Sequence, residues 1–227
     1  MIDFCTGTGC IPLQLLASLQ PHVPNLAIHG VDISPKAVSL ARRNLRHNVL
    51  HRLLSPPSRP NQIITFHQAD IFSPSILSDL GLTDTKKPDL LISNPPYIST
   101  RSFARDTARS VRNYEPKLAL VPERTKDEVD ELNSNEADIF YAQLLVLSRM
   151  LRPKRVLFEV ADLEQAKRVI RMAYRDSWAK GWYSRAEIWR DYPRGGCEEV
   201  DIDGGVVRIR GEGNARVIYL ECRDLVT

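Results

Sequence analysis

The sequence has no run approaching the ~20 consecutive apolar residues of a membrane-crossing helix, and no basic, hydrophobic or Ser/Arg-rich leader precedes Ile2. The expectation is a chain with no membrane partner and no visible address. Cysteine is scarce. Cys5, Cys10, Cys197 and Cys222 show neither the paired spacing of a metal site nor the density of a disulfide scaffold, which points to free thiols in a reducing compartment and to no zinc. Neither charge dominates: 31 Lys and Arg against 28 Asp and Glu, a formal +3, is too weak by itself to argue for nucleic acid. No internal repeat is present.

What the sequence does hold is 227 residues, 43% of them hydrophobic, enough for one sizeable core and a squeeze for two. Short apolar runs alternate with longer segments of helical period, the pattern of an α/β doubly wound, mostly parallel sheet with helices on both faces. Strands are expected at 1–5, 26–32, 62–68, 88–93, 154–160, 184–190 and 215–222. Helices are expected at 11–20, 34–47 behind the Ser34-Pro35 cap signal, 137–151 and 162–179.

Three segments, 53–61, 98–136 and 193–214, fit no regular element. The first and last read as surface insertions on their Pro, Gly and charge content. In the middle one, Arg101, Arg105, Arg109 and Arg112 recur at helical spacing. They suggest one short helix over 101–112 with a basic stripe, followed by an acidic run from Glu123 to Glu136. A solvated helix face accounts for the stripe as well as a phosphate track does.

The first strand runs into Asp3-Phe4-Cys5-Thr6-Gly7-Thr8-Gly9, a turn whose glycines let a ligand approach the backbone and whose following helix start offers unpaired N–H groups. The next strand ends at Asp32, where a carboxylate suits two ribose hydroxyls or the cap of the helix that follows. A dinucleotide turn would continue to a third small residue, but Pro12 stands there, which disfavours a nicotinamide cofactor. S-adenosylmethionine has no phosphates and needs ribose contacts, an adenine slot and room for its amino-acid tail. Asp70 and Ile71, ending the third strand, suit the adenine amino group and ring. A capping Asp before a buried pair is the other reading.

The most specific feature is Ser93-Asn94-Pro95-Pro96-Tyr97. The prolines stop the fourth strand and hold Asn94 extended at the carboxyl edge of the sheet. An amide or amino nitrogen is a poor nucleophile because its lone pair is delocalised. The Asn94 side-chain oxygen and the Pro95 carbonyl are two acceptors for its two N–H hydrogens, aiming the lone pair at a methyl donor. Tyr97 packs on the planar group. The reading is an S-adenosylmethionine-dependent N-methyltransferase.

These motifs, with Val31-Asp32-Ile33-Ser34, Ala69-Asp70-Ile71-Phe72 and Tyr114-Glu115-Pro116-Lys117-Leu118-Ala119-Leu120, resemble the HemK/PrmC family of protein-(glutamine-N5) methyltransferases. The resemblance covers roughly 1–160 well and the C-terminal strands loosely. It implies a Rossmann-like sheet of seven strands with the last antiparallel. It places Asp3, Cys5, Thr6, Gly7, Thr8, Gly9, Asp32, Asp70, Ile71 and Asn94 at the cofactor, and Asn94, Pro95, Pro96 and Tyr97 at the reacting amide. The implied substrate is the glutamine of the Gly-Gly-Gln loop of a peptide chain release factor, with RNA nearby through the 101–112 stripe. The implied compartment is the mitochondrion, with the cytoplasm as the alternative, and a monomer is expected. Cys5 departs from the family, which carries glycine there. The expectation is one catalytic domain over 1–227, without the family's N-terminal helical domain. Two other readings compete: a methyltransferase for exocyclic amines of RNA or DNA, and an inactive cofactor-binding partner subunit.

Overall fold

A computed structural model describes residues 1–56, 61–82, 87–123, 135–175 and 182–223. Seven strands form a mostly parallel sheet in the order β3-β2-β1-β4-β5-β7-β6, β1 being Ile2–Phe4, β2 Leu26–Asp32, β3 Gln62–Gln68, β4 Leu90–Ser93, β5 Arg155–Glu159, β6 Tyr183–Ile202 and β7 Gly205–Cys222. The chain divides into two compact units, Met1–Ser93 and Asn94–Thr227.

In the first unit β1 pairs in parallel with β2 and with β4, and β2 pairs in parallel with β3. The reversal of strand order beside β1 is the topological switch point at which such sheets bind ligands. Helix α1 (Cys10–Leu19) carries Pro12 buried in its first turn, where a missing N–H costs nothing. Helix α2 (Pro35–Leu50) opens as its cap signal implies, the Ser34 hydroxyl accepting the Ala37 N–H at 3.3 Å. Leu16, Leu26 and Ile28 form one buried cluster, and Val38, Ala41 and Phe66 another. A short helix α3 (Ile76–Asp79) lies where no element was expected.

In the second unit, helices α4 (Thr100–Arg105) and α5 (Arg109–Tyr114) bury no residue. They replace the single helix expected over 101–112. With no apolar face to dock, nothing holds a continuous helix through Asp106-Thr107-Ala108. The first part of this segment is closed at its base by the Ile98 N–H donating to the Leu120 carbonyl at 2.9 Å. Most of the expected acidic run, 124–134, lies outside the described residues, as do 57–60 of the first insertion and 176–179 of the last expected helix. Helices α6 (Ile139–Leu151) and α7 (Leu163–Tyr174) bury their apolar faces with Phe158, Ile188 and Ile218 in the core.

The largest correction concerns 193–214, which is ordered strand. Ala186–Trp189 registers with Leu220–Val217 in the opposite sense and with Val207–Arg210 in the same sense, while Cys197–Ile202 registers antiparallel to Arg210–Gly205. The end of β6 and the start of β7 therefore form a hairpin that lies back along Ala186–Trp189 in the first part of β6. Asp203 and Gly204 form its turn, both at positive φ (51° and 80°), the two-residue geometry that matches strand twist. Gly211 permits the fold-back: a Cβ there would lie 1.9 Å from the Tyr192 carbonyl oxygen. Glu187, buried, accepts from Trp189 Nε1 at 2.7 Å, Arg185 Nε at 2.7 Å and Arg210 Nε at 3.0 Å, tying the returning strand to the first.

Candidate active site

The turn after β1 is left-handed at three alternate residues, Cys5 (φ 58°), Gly7 (φ 54°) and Gly9 (φ 81°). Glycine pays no steric penalty there, whereas a side chain costs roughly 1–2 kcal/mol. The departure at Cys5 is thus a backbone matter as well as one of packing. The Cys5 thiol is pushed far above its ordinary value by burial and then by the carboxylates of Asp32, Asp3 and Asp70, against a hydrogen bond with Ser93. It is held as the neutral thiol, not as a nucleophile.

Hydrogen bonds fix the turn against its neighbours. Thr6 N–H donates to the Val31 carbonyl and Gly9 N–H to the Thr6 carbonyl, both at 3.0 Å. The Asn44 amide of α2 donates to the Thr8 carbonyl at 3.0 Å. Gly7 N–H donates to Asp32 Oδ2 at 2.8 Å, and Ser34 N–H to Asp32 Oδ1 at 2.8 Å. The helix cap is Ser34, so Asp32 serves the turn.

Asp3 is 1% exposed, and burial pushes its carboxyl up to about 7, a hydrogen bond from Thr6 lowering it and the charge of Asp32 raising it. Its Oδ2 accepts the Thr6 hydroxyl at 2.6 Å, while its Oδ1 is buried without a partner. An unpaired buried carboxylate oxygen is costly unless a ligand completes it. Asp70 Oδ1 accepts the Phe72 N–H at 3.0 Å, Asp70 is half-buried and Ile71 is buried.

In the second unit Asn94 is exposed, Pro95 and Pro96 are buried, and Tyr97 is half-buried. The Tyr97 hydroxyl donates to Glu159 Oε1 at 3.3 Å. Burial raises the phenol above its ordinary value, the Glu159 charge and hydrogen bond adding to this and Arg216 opposing it. The arrangement presents one exposed side-chain amide on a rigid, proline-locked segment.

The structure thus gathers Asp3 to Gly9 and Asp32 into one hydrogen-bonded turn, with the Asp70 charge acting on the Cys5 thiol at its centre. Asn94 to Tyr97 form one braced segment. Sequence reasoning missed Asn44, which braces the turn from α2, and Glu159 and Gln165, which brace Tyr97. Nothing in the sequence separates Asn44 from the other polar residues of α2. The other two are brought near Tyr97 only by the tertiary fold.

The strand order and the turn at its switch point define the fold of the class I S-adenosylmethionine-dependent methyltransferases. Solved structures that share it include the hMettl16 catalytic domain in complex with a MAT2A 3′UTR hairpin (TM-score 0.54, 16% identity, covering 100% of this chain and 65% of that one), and a human methyltransferase 10 domain containing protein (TM-score 0.51, 13% identity, 98% and 71%). By sequence the chain is a relative of the protein glutamine methyltransferases. It is 33% identical over 196 residues to a Schizosaccharomyces pombe protein named probable MRF1 mitochondrial N(5)-glutamine methyltransferase, covering 82% of this chain and 54% of the relative. The release factor glutamine methyltransferase of Chlorobaculum tepidum is 37% identical (53% and 35%). The ribosomal protein uL3 glutamine methyltransferase of Bradyrhizobium diazoefficiens is 34% identical (53% and 30%). The chain spans between about a third and about half the length of these relatives. No family model matches it. Among the described residues no helix is long and apolar enough to cross a membrane.

Proposed function

We propose that this chain is the catalytic part of an S-adenosylmethionine-dependent methyltransferase acting on the glutamine side-chain amide of the Gly-Gly-Gln loop of a peptide chain release factor. The observation that carries it is the exposed Asn94 on a braced Asn-Pro-Pro-Tyr segment, in a chain whose sequence relatives are named glutamine methyltransferases.

The residues of the turn fit the cofactor. Asp3 Oδ1, buried and unpaired, suits the ammonium of the methionine tail. Asp32 has one protein donor on each oxygen and keeps a lone pair on each for the ribose hydroxyls. Cys5, Thr6, Gly7, Thr8 and Gly9 line the approach, and Asp70 and Ile71 serve the adenine. S-adenosylmethionine, when bound, supplies an electrophilic methyl group.

Asn94 Oδ1 and the Pro95 carbonyl hold the two amide hydrogens of the substrate, Pro96 keeps the segment rigid, and Tyr97 packs on the amide plane. As the new bond forms, the nitrogen gains positive charge, so both acceptors bind the transition state more strongly than the ground state. A mitochondrial location is supported by the name of the Schizosaccharomyces pombe relative. RNA proximity is supported by Arg101, Arg105 and Arg109, exposed on two short helices. The second reading is a ribosomal protein glutamine, favoured by the Bradyrhizobium diazoefficiens relative.

Labelled S-adenosylmethionine offered to recombinant release factor, its Gln→Ala loop variant, ribosomal protein and total RNA tests the assignment. Label is expected only in the unaltered release factor. Label in RNA, or equally in the Gln→Ala variant, overturns it, and label confined to ribosomal protein selects the second reading.

A further inference from the structure

Tyr97 is held at both ends. Its hydroxyl meets Glu159, and its carbonyl accepts Gln165 Nε2 at 3.3 Å. Gln165 is 2% exposed and uses every polar atom it has. Its Nε2 also reaches Asp138 Oδ1 at 2.9 Å and the Ala137 carbonyl at 3.3 Å. Its Oε1 accepts the Ala161 N–H at 2.9 Å, with the Tyr141 hydroxyl 3.5 Å away. Asp138 is itself fixed by Arg168 Nε at 2.7 Å and by Asn135 at 2.8 Å. Tyr141 completes the circuit by donating to the Glu159 carbonyl at 2.7 Å.

The two ends of this amide do different work. The oxygen belongs to a capping box: Asp162 Oδ1 accepts the Gln165 N–H at 2.7 Å, and three positions into α7 the side chain reaches back to the chain before the helix. A glutamate would serve that purpose equally. Only an amide brings hydrogens, and these are shared among the Tyr97 carbonyl, the Ala137 carbonyl and Asp138. Starting α7 does not need them; fixing the segment that ends in Tyr97 does.

We propose that Gln165 is a positioning residue of the acceptor segment, setting the path of Asn94–Tyr97 through the Tyr97 carbonyl. The inference rests on the glutamine-methyltransferase reading for its kinetic consequence, and not for its structural one. Buried amides fully engaged in this way rigidify what they touch, and a displacement of about 1 Å at a group that orients substrate costs on the order of 10²-fold in rate.

The decisive variant is Gln165→Glu, which keeps the capping oxygen and the volume and removes both hydrogens. Because a second carboxylate beside Asp138 is repulsive, Gln165→Glu/Asp138→Asn is made in parallel. The amide introduced by Asp138→Asn satisfies the new carboxylate but leaves the Tyr97 carbonyl without its donor. With 3-fluorotyrosine at position 97, both variants are expected to shift the ¹⁹F resonance and to expose it to a soluble paramagnet. The affinity for S-adenosylmethionine should change less than about twofold. On release factor, kcat should fall about 10- to 100-fold with KM for the cofactor unchanged. A folded double variant whose ¹⁹F resonance matches the parent overturns the proposal. If the parent itself methylates no release factor, the function assigned above fails, and the fluorine measurement still decides the role of Gln165.

Discussion

Asp32 accepts the Gly7 N–H on one carboxylate oxygen and the Ser34 N–H on the other, each at 2.8 Å, so one side chain links the glycine turn to the entry of α2. Asp32→Ala should therefore weaken S-adenosylmethionine binding about ten- to a hundredfold, ~1.5–3 kcal/mol for hydrogen bonds to a charged acceptor. Titration calorimetry measures it. Parental affinity together with a lower melting temperature would reduce Asp32 to a brace for the turn.

Asp3 makes both stability and cofactor binding depend on pH, in opposite directions. With its carboxyl pushed up from 3.8 to about 7, the folded protein keeps a proton that the unfolded chain releases. Stability therefore falls as pH rises through that window. A cofactor ammonium favours the carboxylate, so affinity should rise with pH up to about 7, by at most about tenfold per unit, and binding should release a proton below it. Calorimetry in two buffers of different ionisation enthalpy detects that proton. Asp3→Asn should abolish both dependences, and retention of either would exclude Asp3 as their source.

Asn94→Ala should leave cofactor binding intact and lower the methyl-transfer rate by about 10²–10³, the effect of deleting one preorganised transition-state partner. An equal loss of cofactor affinity would show that Asn94 supports the cofactor rather than the acceptor nitrogen. Single-turnover kinetics separate the two.

Cys5→Gly should stabilise the protein by about 1 kcal/mol by relieving the left-handed side chain, raising Tm by about 2–4 °C. Cys5→Ala keeps a Cβ at φ 58° and should give no such gain. Equal melting curves for the two variants would show that the thiol's packing, and not the backbone, sets the cost of this residue.

The parts of the site that lie at strand ends were legible from the sequence, because apolar runs ending in Asp32, Asp70 and Ser93 mark where a parallel sheet meets solvent. Cys5 was visible as a departure, but its left-handed φ is a property of the backbone alone. The segment 193–214 was misread because its glycines and charges suggested a loop. Asp203-Gly204, flanked by Val200 and Ile202 on one side and Val207 and Ile209 on the other, carries a hairpin signature that composition obscured. The arginine spacing at 101–112 fitted a helix, yet no residue of α4 or α5 is buried. Gln165 was beyond reach, since its partner Tyr97 lies 68 residues away.

The returning hairpin also changes which strand forms the margin of the sheet. Without it, Ala186–Trp189 would be the open margin of the sheet, an apolar and regular template for another chain. With it, the margin passes to Cys197–Ile202, where Glu198, Glu199 and Asp201 lie exposed. Glu198 and Glu199 are there paired with Arg190 at 2.8 Å and Arg208 at 2.9 Å, so a strand approaching this margin meets solvated charge pairs in place of a bare apolar edge.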